Sequence, residues 1–324
     1  MGTVQIEREH ENRRADAYIC ESFNVHSRSF LTKNWDNLVL INGKTSKPSY
    51  KLKVGDRVEV KEENVDEILS DSSYDKITPQ NHPLDIVYES DSYIVINKPK
   101  GISVHPGVGN SQDTLANYVA GYLTKKGEYD STIDRAGVVH RLDKPVSGLI
   151  VFAKNKETQK YLQKQFEEHS VQKIYYAKIV LRENTNKEVF EKLPKTKISA
   201  TTVIDDFVRT GGQELGGEWL KAEGYIGRSD VNRRKMIFKP YPFGSAKYAL
   251  SYFQFLSDTE VLVIIKTGRM YQIRASLEYL GIYIEGDTLF KSLKGGPTPN
   301  EISLESVLLS FEEPSGKLAI YRLK

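Results

Sequence analysis

His140-Arg141-Leu142-Asp143-Lys144-Pro145-Val146-Ser147-Gly148-Leu149-Ile150-Val151-Phe152-Ala153-Lys154 sets an arginine and a carboxylate in a tight loop, then runs straight into an apolar strand. Arg141 and Asp143 stand two apart, and Pro145 and Gly148 fix the turn that follows. Leu149 to Ala153 is wholly apolar, so a buried element is expected there. An acid presented by a rigid loop at the mouth of a buried strand can be a nucleophile or a general base held against water. A lone Asp near Pro and Gly can equally close a turn by bonding its own backbone. The rest of the chain has to discriminate between the two.

A chain of 324 residues has room for two or three domains, and 39% hydrophobic with 27% charged residues describes an ordinary globular protein. Net charge is only +3, so any basic surface must be local. The single cysteine, Cys20, excludes an internal disulfide framework and a cysteine-based zinc cluster. The six histidines lack the short regular spacing of a metal site. No stretch approaches the ~20 apolar residues of a membrane span, and Met1 to Glu11 is polar, unlike a signal peptide. A cytoplasmic monomer without membrane contact is expected.

Three parts are expected: a small unit over 1–61, a linker over 62–83 and a large domain over 84–324. In the first, Ala15 to Ile19 starts a helix. Ser27 caps a second, with Trp35 and Leu38 on its apolar side. Val39 to Ile41 then reads as a strand into an Asn42-Gly43 turn, and Gly55 to Val60 as another strand. From Arg13 to Arg57 there are nine Lys/Arg against four Asp/Glu, a local excess that suits phosphates. The 62–83 stretch is rich in Asp, Glu, Ser and Asn. In the third part a helix begins at Asp113 or Thr114, and Asn155 caps another that places Tyr161, Leu162 and Phe166 on one side. The stretch 182–223 is Thr- and Gly-rich, its strands hard to place, and reads as an insertion.

The central loop, with its His-Arg-Leu-Asp and Ser-Gly-Leu, resembles the signature of the RluA-type RNA pseudouridine synthases. Leu84 to Glu89, Asn97-Lys98-Pro99-Lys100-Gly101, Lys173-Ile174-Tyr175-Tyr176-Ala177, Gly268-Arg269-Met270-Tyr271-Gln272-Ile273-Arg274 and Glu285-Gly286-Asp287 look like that family's other segments, in order, over roughly 84 to 290. The first part resembles the αL RNA-binding domain first described in ribosomal small-subunit protein S-four. Within it Arg28 and Lys44 are the expected RNA contacts. The resemblance implies an α+β fold, a mixed and mainly antiparallel sheet with flanking helices, plus the small N-terminal RNA-binding domain.

It also implies the chemistry: the bond from ribose C1′ to uracil N1 breaks, the base turns, and C1′ rejoins at C5. No metal and no organic cofactor is needed. Asp143 is implied as the catalytic carboxylate, as nucleophile at C1′ or base at C2′. Arg274 is implied as its partner, since Arg stays charged and grips a carboxylate with two parallel bonds. Tyr175 matches the tyrosine that packs against the target uracil, Arg141 the residue that fills the space of a flipped base, and Ile273 a wall of the base pocket. Large-subunit ribosomal RNA is the expected substrate. Val146, Met270-Tyr271, Ser276 and the tail at Leu304 to Val307 depart from the family pattern and suggest altered RNA contacts.

Two other readings compete. A ribosome-assembly factor that lost the reaction would most simply have replaced Asp143, Tyr175 or Arg274, and all three are present. A glycoside hydrolase would need a second acid. Glu285 and Asp287 are the only candidates, and a Gly-Asp turn explains them.

Overall fold

The computed structural model describes residues 2–23, 31–32, 35–61, 77–107, 112–181, 195–196, 219–290 and 302–323. The chain divides into two compact units, Met1–Lys76 and Ile77–Lys324.

The first unit holds a three-stranded antiparallel sheet of β1 (Gly2–Gln5), β2 (Val39–Ile41) and β3 (Arg57–Val60), in the order β1-β3-β2. Helices α1 (Ala15–Ser22) and α2 (Trp35–Leu38) pack their apolar side chains on it: Tyr18, Ile19, Trp35 and Leu38 join Val39, Ile41, Val58 and Val60 in one buried cluster. Asn42 (φ 54°) and Gly43 (φ 72°) make the expected turn with two positive φ values. Strand β1 was not legible, because its Gly-Thr-Val-Gln holds one apolar residue and half-buries alternate positions at a sheet edge. The Ser27 cap lies outside the described residues.

The second unit is built on one twelve-stranded sheet. Its strands are β4 (Ile86–Glu89), β5 (Tyr93–Lys98), β6 (Ser147–Ala153), β7 (Gln172–Leu181), β8 (Lys195–Thr196), β9 (Trp219–Arg228), β10 (Met236–Lys239), β11 (Lys247–Ser257), β12 (Glu260–Ile265), β13 (Ile282–Ile284), β14 (Leu304–Glu312) and β15 (Leu318–Arg322). The main order is β10-β9-β11-β12-β7-β14-β6-β5-β4, with β8 on β9, β13 on β7 and β15 on β14. Among the described strands every pairing in this sheet is antiparallel except that of β14 with β6. At this junction Gly148 stands at φ +111°, and a Cβ there would meet the Ser306 backbone at 2.4 Å. Only glycine lets the two backbones approach so closely.

Among the described residues three α-helices flank the sheet: α3 (Leu115–Lys126), α4 (Lys156–Glu167) and α5 (Gln272–Tyr279). Thr114 and Asn117 form a capping box on α3, and the Asn155 side chain accepts from Thr158 N at 2.8 Å to cap α4, as its sequence leads one to expect. Strand β6 is buried at every position, which accounts for its unbroken apolar run. Along β7 the faces alternate: Tyr175 joins the main core, while Tyr176 packs on the far face and donates to Glu260.

Two boundaries differ from those expected of the sequence. Residues 77–83 are not linker: Ile77 is buried in the main core and Gln80 N donates to Asn117 O at 2.9 Å. Trp219 to Glu223, assigned to the insertion, instead begin β9, and Trp219 is buried. Most of 182–218 and all of 62–76 lie outside the described residues.

Candidate active site

The chain reaches Asp143 along the edge of β6, and bonds at Val138 and His140 tie that approach to the strand. First, Arg135 (φ 49°), Ala136 (φ 52°) and Gly137 (φ 83°) form a left-handed turn. A non-glycine residue in that conformation costs about 1 to 2 kcal/mol. Val138 then bridges to Phe152, and His140 Nε2 accepts the Val151 N–H at 3.1 Å while its ring stacks on Phe166. Burial, with Lys173 nearby, holds the imidazole down at about 3, so His140 bonds the loop as a neutral acceptor.

Asp143 closes a four-residue turn through its backbone, its carbonyl accepting Val146 N–H at 3.0 Å. Lys144 carbonyl in turn accepts from Gly101 N at 2.9 Å and from the Lys98 ammonium at 3.3 Å. Lys98 is fully buried and also donates to Pro99 O and Ile102 O, so it ties the 99–102 turn to the Asp143 turn. Burial pushes that ammonium down to about 8, against the pull of Asp143. With the turn closed by backbone, the Asp143 side chain is left to line a pocket together with Arg141, Val146, Tyr175, Ile273 and Arg274.

Arg274 comes from α5. Its Nε and Nη2 donate to the two carboxylate oxygens of Asp287, both at 2.7 Å. The third nitrogen, Nη1, stands 3.7 Å from Asp143 Oδ2. The two-bond grip expected between Arg274 and Asp143 therefore belongs to Asp287, and Asp143 receives the remaining nitrogen at longer range. Asp287 is itself held, accepting from Leu289 N and Phe290 N. Tyr271 and Phe290 place their rings 4.6 and 4.8 Å from the guanidinium carbon. A planar cation held by a fork and two ring faces has little freedom left.

The helix start is as firmly built. Tyr271 precedes α5 with φ 57°, and Gln272 satisfies its amide completely: Oε1 accepts from Thr267 Oγ1 and Arg269 N, Nε2 donates to Leu250 O and Ser251 Oγ. Burial raises the Asp143 carboxyl above its ordinary value, Asp287 adds to the rise, and Arg274, Arg141 and Lys98 only partly offset it. Burial and Asp143 likewise raise the Tyr175 phenol, which stays neutral.

Asp143, Arg141, Tyr175, Ile273 and Arg274 thus meet at one pocket. Lys44 is an exposed residue of the first unit, directly after the Asn42-Gly43 turn, and Arg28 lies outside the described residues. Asp287, Gln272 and Lys98 were not singled out. Each sits inside a quoted segment, and Asp287 was set aside as a turn residue. Among the described residues no three His, Cys, Asp or Glu side chains converge in a way that could hold a metal ion. No helix among them is long and apolar enough to cross a membrane.

A half-buried carboxylate and a clamped arginine thus line one pocket of a mainly antiparallel sheet, and sequence comparison supplies the class. The profile of the RNA pseudouridylate synthase family matches residues 92–279, more than half of the chain. The chain belongs to that family, and to its RluA type. It is 31% identical over 306 residues to an uncharacterized RNA pseudouridine synthase of Chlorobaculum parvum, covering 93% of this chain and 80% of that protein. It is 30% identical to the ribosomal large subunit pseudouridine synthase D of Vibrio parahaemolyticus, with 93% and 84% covered, and 28% identical to that of Escherichia coli strain K12, with 99% and 86% covered.

Proposed function

We propose that the protein isomerises uridine to pseudouridine in ribosomal RNA of the large subunit, with Asp143 as the catalytic carboxylate. The reading is carried by one observation: a half-buried carboxylate facing a pocket, 3.7 Å from an arginine that Asp287 holds in place. Asp143 acts at the ribose, as the C1′–N1 bond breaks and a C1′–C5 bond forms. N1 gains a proton and C5 loses one. Arg274 favours the ionised form that either role, nucleophile or base, requires. Tyr175 and Ile273 are the faces against which the detached uracil rests. A base paired or stacked within folded RNA must first leave its stack, at a cost of roughly a few kcal/mol, and Arg141 at the exposed rim fills the vacated space.

The first unit is an RNA-binding domain of the S-four type that supplies affinity through phosphates. Lys44, Lys47, Lys51, Lys53 and Arg57 are exposed along its turns and support this assignment. The large-subunit substrate follows the names of the relatives that share most of the chain's length.

The experiment is tritium release from large-subunit ribosomal RNA transcribed with uridine labelled at C5. Release by the wild type and none by Asp143→Asn, with RNA affinity kept within about threefold, is the expected result. Release by the Asn variant would remove Asp143 from the chemistry. No release by either, with tight binding retained, would favour the assembly-factor reading.

A further inference from the structure

The pocket that Asp143 lines has two kinds of wall. Val146, Tyr175, Ile273 and Leu304 are buried and make it apolar within. Arg141, Gly268 and Met270 are exposed and Arg269 is half-buried, so these four form its mouth. A nucleotide has the same two-sided character, a flat base that suits an apolar cleft and a charged phosphate that stays hydrated. With the uracil against Tyr175 and Ile273, the phosphodiester of the same nucleotide lies at the mouth. Arg141 fills the space that the base leaves, and what remains there is Gly268, Arg269 and Met270.

Arg269 is held at both ends. Its backbone N–H donates to Gln272 Oε1 at 3.0 Å, and its carbonyl accepts from Gln272 N at 3.1 Å. At the tip, Nε donates to Tyr248 O at 2.8 Å. Among the described residues no carboxylate pairs with Arg269, and neither Nη1 nor Nη2 has an acceptor. A guanidinium fixed through Nε presents its two other nitrogens as a fork, which fits a phosphate with two parallel bonds. Gly268, beside it, has no internal reason to be glycine. Its φ is not in the left-handed region, and a Cβ there would meet no atom within 4 Å, unlike the Cβ that Gly148 excludes. A glycine that neither φ nor packing demands, on the wall of a pocket, leaves room for a ligand to come close to the backbone.

We propose that Gly268 and Arg269 form the seat for the phosphodiester of the nucleotide whose base enters the pocket. Gly268 gives the room, and Arg269 gives the charge and the two donors. This deepens the proposed function and rests on RNA being the substrate. Both are binding residues and touch no reacting atom.

The test uses large-subunit ribosomal RNA transcript as the probe in binding titrations over a range of salt, with tritium release at saturating RNA and thermal melting beside them. Arg269→Ala should weaken binding about tenfold and flatten the slope of log affinity against log salt by about 0.7 to 0.9. Release at saturating RNA should stay within about threefold. Arg269→Lys should keep the slope and lose part of the affinity. Gly268→Ala is the decisive variant, since it leaves the bonds of Arg269 in place. It should melt no lower than wild type, because alanine narrows the unfolded chain, yet bind about as weakly as Arg269→Ala. The double variant should bind no more weakly than either single one, because both remove the same contact. Wild-type affinity and slope in Arg269→Ala would overturn the seat, and so would wild-type binding by Gly268→Ala. A fall in release at saturating RNA with the slope unchanged would set Arg269 against the base and overturn the phosphate assignment. Absence of tritium release by the wild type would refute the proposed reaction alone, while the salt slopes would still decide the seat.

Discussion

At the residue scale the decisive arrangement is a division of labour on one arginine. Arg274 gives two nitrogens to Asp287, 1% exposed, and one to Asp143, 20% exposed. The fork fixes where the guanidinium lies, and the third nitrogen is left to interact with the carboxylate in the pocket. Asp287→Asn should therefore cost about 3 kcal/mol of stability, since it leaves a buried cation without its anion. It should also lower tritium release about a hundredfold through misplacement of Arg274; urea unfolding and the release assay check the two parts. Asp143 has the opposite relation to stability. A carboxyl raised in the folded state contributes stability fully below the ordinary aspartate value, and loses it as pH rises through the raised value. At neutral pH its ionised form is a cost, so Asp143→Asn should melt at a higher temperature than wild type at pH 7.5, and the gap should close on acidification. The same argument fixes the effect of Arg274→Met: with the main offsetting charge gone, the acid limb of any residual activity moves to higher pH.

At the element scale, strands and helices were legible where local chemistry decides them. The β6 run of Leu149 to Ala153, the Asn155 cap and the Thr114 start can be read because apolar runs and caps act within a few residues. Strand β1 could not be, since its only reason for being extended is β3, more than fifty residues away. Nor could the role of Asp287, since a Gly-Asp turn looks the same whether or not an arginine thirteen positions back is waiting for it. The same long-range character marks the tie between β4 and α3. Glu89 meets Lys126 at 2.7 Å and Lys154 at 2.9 Å, accepts from Tyr122 at 2.7 Å, and Lys154 also pairs with Glu128. Burial opposes the charge on Glu89, but the hydrogen bonds from Lys126, Tyr122 and Lys154 win and hold its carboxyl at about 2. That stabilisation is present above the ordinary glutamate value and is lost as pH falls toward the depressed one. Glu89→Gln should lose about 1 to 2 kcal/mol at pH 7, after allowing for partial solvent screening, with the difference from wild type shrinking below pH 4. Chemical denaturation at several pH values measures it.

At the scale of the whole molecule, the proposed function divides affinity and chemistry between the two units. Charge reversal at Lys44 and Lys47 should weaken RNA binding and flatten its salt dependence, leaving tritium release at saturating RNA unchanged. Binding titrations across salt, beside the release assay, test that separation. A further consequence follows from β14. It is hydrogen-bonded to β7 on one edge and to β6 on the other, and Ser147 Oγ donates to Glu305 across 158 positions of chain. The strand bearing Tyr175 and the strand fed by Asp143 are thus joined by residues made long after both. Among the described strands β6 and β7 are joined only through β14. The walls of the Asp143 pocket therefore come together by a pairing of high sequence separation, which places the pocket among the last parts of the unit to form.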